Sequence, residues 1–124
     1  SPLAQGLLTG KFRSREDIPN DIRAANKLFA EGIFEQCLEV VDLMQGIADA
    51  HGKTLIETAI AWTLQYPGIT APICGARNPG QVEGMLGGVG WRLSDEEFEA
   101  ISQAGAKVSA QLDFSSNMWG YAPK

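Results

Sequence analysis

The stretch from Ile69 to Val82 constrains the fold of this chain most. Its short apolar start, Gly75, Arg77 and the pair Asn78-Pro79 predict three things in succession: a strand over Ile69–Cys74 buried on both faces, a tight glycine turn, and a helix from Pro79 to about Leu86. Such a unit aims backbone N–H groups and one arginine at whatever sits above the strand end, which is how a protein holds a phosphate. Helical patterns lie on both sides of the strand, and helix, strand, helix is the rhythm of a parallel α/β architecture.

Upstream, Phe34, Cys37, Leu38, Val41, Met44, Ile47 and Ala48 recur at intervals of three and four and predict an amphipathic helix over Ile33–Ala50, ended by His51-Gly52. Thr54-Leu55-Ile56-Glu57 and Ser94-Asp95-Glu96-Glu97 are capping boxes. The first opens a helix expected to bury Ile56, Ala59, Ile60 and Thr63 and to stop before Pro67-Gly68. The second opens one with a stripe of Phe98, Ile101, Gly105 and Val108. Gly80, Gly84, Gly87 and Gly88 weaken the helix after Asn78 by up to about 1 kcal/mol each in an interior. Residues 1–12 read as a loop with one helical turn at Gln5–Leu8, and the polar residues 13–28, with Pro19 and Asn20, as an extended connection. Residues 111–124 read as a C-terminal tail, aperiodic despite Phe114, Trp119 and Tyr121, that packs over a surface or lies loose.

Composition narrows the function classes. The 124 residues are 44% hydrophobic and 20% charged, ordinary for a globular protein. The net charge of −5 argues against nucleic acid as a partner, and no apolar run is long enough for a membrane span. Residues 1–30 nevertheless carry Lys11, Arg13, Arg15, Arg23 and Lys27 against Glu16, Asp17 and Asp21, so a lead segment of +2 sits on a remainder of −7. That suits one small anionic ligand better than a polymer. Cys37 and Cys74 form no Cys-x-x-Cys and read as reduced packing residues of a cytoplasmic protein; no metal-ligand spacing occurs. No targeting segment precedes Ser1, and a start inside a motif and without methionine is expected of a cut piece of a longer protein.

Two segments carry a resemblance. Ser1-Pro2-Leu3-Ala4 with Gly6-Leu7-Leu8-Thr9-Gly10-Lys11 resembles the loop after the seventh barrel strand of the aldo-keto reductases. Gly75-Ala76-Arg77-Asn78-Pro79, Gln81-Val82 and Gly90-Trp91-Arg92-Leu93-Ser94 resemble the segment after the eighth, in the bacterial and potassium-channel-β-like branches. In (β/α)8 barrels a phosphate site is frequently built from these two loops. The resemblance implies the C-terminal segment of a TIM barrel over residues 1–110, mostly helical in this piece, and a cofactor, NADPH, that reduces aldehydes or ketones by hydride transfer. It implies that Ser1, Leu3, Gln5, Gly6, Thr9 and Lys11 line the pyrophosphate and its ribose and that Arg23 closes over the pyrophosphate. Gly75, Ala76 and Arg77 would surround the 2′-phosphate, with Gln81 against the adenosine.

The match is incomplete. Gly84-Met85 stands where relatives usually carry Glu-Asn, which removes an acceptor for the adenine amine. The family's catalytic Asp, Tyr, Lys and His lie on earlier strands, so no catalytic residue is assigned here and the chain alone is expected to be inactive. The expected partners are the nicotinamide cofactor, a small carbonyl substrate and the remainder of the barrel. His51, at a helix C-terminus, reads as a solvated or dipole-facing residue; Tyr66, Trp62 and Trp91 read as packing residues. Two other readings stay open: a nucleotide-sensing subunit like the potassium-channel β proteins, and a helical interaction module that kept the motifs without the ligand.

Overall fold

The computed structural model describes residues 1–112. Helix α1 spans Ile33–Ala50, α2 Leu55–Gln65, α3 Pro79–Leu86 and α4 Asp95–Ser109. Helix α1 packs against both α2 and α4, and α2 carries α3 on its other side. Phe34, Cys37, Val41, Met44 and Ala48 form the buried stripe of α1, at the spacing the sequence predicts. With Leu55, Ala59, Leu93, Ile101 and Val108 they make one core, closed from the N-terminal side by Leu7, Phe12 and Phe29.

The helix ends follow their caps. Thr54 Oγ1 accepts the Glu57 N–H at 3.2 Å and Glu57 Oε2 accepts the Thr54 N–H at 2.7 Å. Ser94 and Glu97 repeat the arrangement at 3.1 and 2.9 Å. Helix α1 ends as expected, with Gly52 in the left-handed region at φ 62.

Four expectations need correction. Residues 69–76 form neither strand nor helix, bend at Thr70 and pair with no strand among the described residues, and Ile73 is 92% exposed. A strand buried on both faces needs neighbours on both edges, and the described part of the chain supplies none. Residues 13–28 are not simply extended: they fold into single 3₁₀ turns at Arg15–Asp17 and Ile22–Ala25, with a third at Lys27–Phe29. Asp17 closes the first through the Arg13 and Ser14 N–H groups, both at 2.8 Å, and Asp21 caps the second. In α2 the buried residues are Leu55, Thr58, Ala59, Ile60 and Ala61, whereas Ile56 and Thr63 are half-buried. Packing of α2 between α1 and α3 widens its buried face beyond one stripe. His51, finally, is not merely solvated: its Nε2 donates to Glu97 Oε1 at 2.8 Å, and its ring lies 5.2 Å from that of Trp91. Phe114, Trp119 and Tyr121 lie outside the described residues.

The two glycines that follow α3 have a packing reason, whereas a β-carbon on Gly84 inside it would meet nothing within 4 Å. A β-carbon on Gly88 would lie 2.6 Å from Ile60 Cβ and 2.7 Å from the Glu57 carbonyl oxygen, and one on Gly87 would strike the Glu57 side chain. Their absence lets the end of α3 lie directly on α2, where Lys53 Nζ donates to the Gly87 carbonyl at 3.2 Å.

Candidate functional site

A cleft of about 620 Å³ lies between the N-terminal loop and the segment from Ile73 to Met85. All eleven residues singled out in the sequence line it: Ser1, Leu3, Gln5, Gly6, Thr9, Lys11 and Arg23 on one side, Gly75, Ala76, Arg77 and Gln81 on the other.

The N-terminal wall is an unusual backbone. Ala4, Gln5 and Gly6 take successive positive φ values of 45, 63 and 94. Left-handed conformations at two non-glycine residues cost energy and persist where surrounding contacts hold them. Here Gly6 N–H donates to the Leu3 carbonyl at 2.8 Å, Thr9 Oγ1 donates to the Gly6 carbonyl at 2.7 Å, and Leu7 is buried in the core. The positive φ of Gly6 is what favours glycine there, and the lysine arm also lies close over it. A β-carbon there would come within 3.0 Å of Lys11 Cε, because the lysine arm lies across the glycine with its ammonium 4.7 Å from the Phe12 ring centroid.

The opposite wall is the turn into α3. Asn78 Oδ1 accepts the Gln81 N–H at 3.0 Å, and Gln81 Oε1 accepts the Arg77 N–H at 2.7 Å. Pro79 has no N–H to offer, so the uncommitted donor of the first turn is the Gly80 N–H, at a residue that lines the cleft. The Arg77 side chain makes no hydrogen bond or ion pair among the described residues.

Among the described residues, Lys11, Arg23 and Arg77 give the cleft three cations, and no acidic side chain lines it. Arg23 is the compensated one. It pairs with Asp21, which holds the Asp21 carboxyl down to about 2, through the side-chain contact first and the backbone hydrogen bond second. Cys74 also faces the cleft, and burial raises its thiol pKa, so it is an unionised lining group rather than a nucleophile. Burial pushes the Cys37 thiol up to about 11, as fits a core residue. No cluster of three metal-ligating side chains occurs among the described residues.

Sequence reasoning missed Phe12, Asp21 and Ile56. Phe12, 3% exposed, supports both Lys11 and Arg23, and its place immediately after Lys11 was a usable signal. Asp21, two residues before Arg23, carried a similar hint. Ile56 is a floor residue from α2, and nothing in the sequence marks it as such.

A second cleft, of about 630 Å³, is lined mostly by apolar residues, among them Leu7 and Leu8 of the N-terminal loop, Ile69 and Ile73, and Met44, Trp62, Ile101 and Val108 of α1, α2 and α4. Tyr66 lines it too, within the ring cluster of Trp62 and Phe98. No helix among the described residues is long and apolar enough to cross a membrane.

Comparison with known proteins places these features in context. The sequence model of the Aldo/keto reductase family matches residues 1–106. The chain is 33% identical over 102 residues to the aldo-keto reductase YhdN of Bacillus subtilis, a match covering 81% of this chain and 31% of that protein. It is 37% identical over 87 residues to a probable voltage-gated potassium channel subunit beta of Arabidopsis thaliana, covering 67% of this chain and 26% of the other. Among solved structures it is similar to the glycerol dehydrogenase AKR11B4 of Gluconobacter oxydans, with a TM-score of 0.76 and 33% identity over 94% of this chain and 36% of that one. The chain spans about a third of the length of these relatives.

Proposed function

The chain belongs to the aldo/keto reductase family, and from that premise we propose that it supplies the NADP(H)-binding part of an oxidoreductase that reduces aldehydes or ketones to alcohols. The observation that carries this reading is the single cleft that gathers all eleven residues named by the resemblance, three of them cations. Lys11 and Arg23 lie on the pyrophosphate side. Arg77 and the Gly80 N–H, at the start of α3, suit the 2′-phosphate, since a helix N-terminus and a guanidinium both favour a dianion. Gly84 and Met85 leave the adenine edge without the acidic acceptor that relatives usually carry there.

Residues 1–110 would then be the C-terminal segment of a (β/α)8 barrel in a cytoplasmic protein, with residues 111–124 its tail. Residues 69–74 would be the eighth strand, paired with strands from the remainder of the barrel, which would also cover the apolar second cleft. When bound, the cofactor supplies the hydride. This chain's residues hold its phosphates, and an upstream tyrosine would donate the proton to the carbonyl oxygen.

The identity to a potassium channel subunit beta favours a second reading, a nucleotide-sensing subunit in which binding matters more than turnover. Titration of NADPH into the intact protein, followed by its fluorescence, tests the shared part; no saturable binding would overturn both readings. NADPH oxidation with a reactive aldehyde then divides them, because the reductase turns over and the sensor binds without appreciable turnover.

A further inference from the structure

Asp21 grips Arg23 in a way that binding alone does not require. The carboxylate takes the guanidinium side-on, Oδ1 accepting from Nε at 2.9 Å and Oδ2 from Nη2 at 2.5 Å, while Oδ1 also accepts the Arg23 main-chain N–H at 2.9 Å. The guanidinium carbon stands 5.8 Å from the ring centroid of Phe12, which packs edge-on against Phe29. The Arg23 side chain, a lining residue of the cleft, is only 18% exposed. An arginine so held spends Nε and one Nη2 hydrogen on its partner and keeps three donors, two on Nη1 and one on Nη2. A guanidinium fixed in advance loses less freedom when an anion arrives.

We propose that Asp21 is a positioning residue: it holds Arg23 side-on against Phe12 so that the free Nη1 edge already faces the cleft when a dinucleotide pyrophosphate enters. The proposal rests on the reading of the cleft as a dinucleotide site. It also has a definite rival, because the same carboxylate could instead act as a competitor that the pyrophosphate must displace. The two roles give opposite signs.

The test is a double-mutant cycle in the intact protein, reading dissociation constants for NADPH and NADH by cofactor fluorescence for the parent, Asp21→Asn, Arg23→Ala and the double variant. Asparagine keeps an oxygen to cap the Ile22–Ala25 turn, so the backbone is preserved while the side-on ion pair is lost. Asp21→Asn should weaken both cofactors alike, by about tenfold, and should add nothing to Arg23→Ala. Asp21→Glu, which keeps the charge, should recover part of the loss. Tighter binding by Asp21→Asn would overturn the proposal in favour of competition. An equal loss with and without Arg23 would overturn it in favour of a role confined to the turn. A parent that binds neither cofactor would overturn the dinucleotide reading itself, a result distinct from both.

Discussion

The side-chain oxygen of Gln81 accepts the backbone N–H of Arg77 at 2.7 Å, which ties the arginine to the first turn of α3. Gln81 lines the cleft as well, and its NH₂ and the second lone pair of its oxygen remain for a ligand. Arg77 therefore projects from a braced backbone with its guanidinium free among the described residues. Replacing Arg77 with alanine should cost about 1.5–3 kcal/mol in NADPH affinity, as for a hydrogen bond to a charged group, and leave NADH nearly unchanged. Titrations of both cofactors check this, and equal losses would remove Arg77 from the 2′-phosphate.

Lys11 is exposed and lies over Gly6 and Phe12 without an ion-pair partner among the described residues. Lys11→Ala should weaken NADPH and NADH equally, since both carry the pyrophosphate. The loss should shrink between about 0.05 and 0.5 M salt as the exposed charge is screened. A loss that is insensitive to salt, or confined to NADPH, would contradict the assignment.

Gly84 within α3 and Gly88 just beyond it should respond in opposite directions. Gly88→Ala places a β-carbon against Ile60 and the Glu57 carbonyl, so it should destabilise the protein by about 1–3 kcal/mol. A β-carbon on Gly84 meets nothing within 4 Å, so Gly84→Ala should raise stability by up to about 1 kcal/mol through helix propensity alone. Denaturant melts of the two variants give the comparison directly.

Much of this was legible in the sequence because the signals were local. The period of α1, the two capping boxes and the Asn78-Pro79 start each depend on residues within a few positions of one another. That eleven named residues line one cleft follows from two contiguous motifs and from Arg23 between them. What escaped depended on distance in the chain. The strand over Ile69–Cys74 carries a strand's pattern, but a ladder needs partners that the described residues lack. The glycines after Asn78 read as helix weakness, and only the approach of α3 to Glu57 and Ile60 explains Gly87 and Gly88. The pairing of His51 with Glu97 joins the end of α1 to the start of α4 across 46 positions, which no local rule anticipates.

That pairing gives stability a pH dependence. The Ser94 N–H and, secondarily, His51 hold Glu97 below its ordinary carboxylate pKa. A group whose pKa is lowered by folding contributes fully above its unfolded value, and the contribution drains away as pH falls through the folded value. Glu97→Gln should therefore be less stable than the parent at pH 7, by under about 1 kcal/mol for a partly exposed site. The difference should close from about pH 5 downward as the parent's carboxylate is protonated. Urea melts at pH 7 and pH 3.5 read both limits, and a difference that persists in acid would show that only packing was lost.

The last prediction concerns the 124-residue chain by itself. Residues 69–76 have no strand partner among the described residues, Ile73 is 92% exposed, and the apolar cleft beside them is lined in part by α1, α2 and α4. Apolar surface left in water forfeits about 25 cal/mol per Å², so an open cleft of this kind favours any arrangement that covers it. A backbone edge of unpaired donors and acceptors adds a template for strand addition. A closed barrel requires eight strands, and one such segment cannot supply them. The isolated chain should therefore associate with itself or bind a hydrophobic dye strongly, melt without a sharp transition, and show no NADPH oxidation with 4-nitrobenzaldehyde. Adding the remaining barrel segments in trans should suppress the dye signal as the cleft is covered. Light scattering after size exclusion separates the outcomes: a compact monomer with a cooperative melt would mean that the helices alone make a self-sufficient domain, and that the apolar cleft is tolerated in water rather than reserved for neighbouring strands.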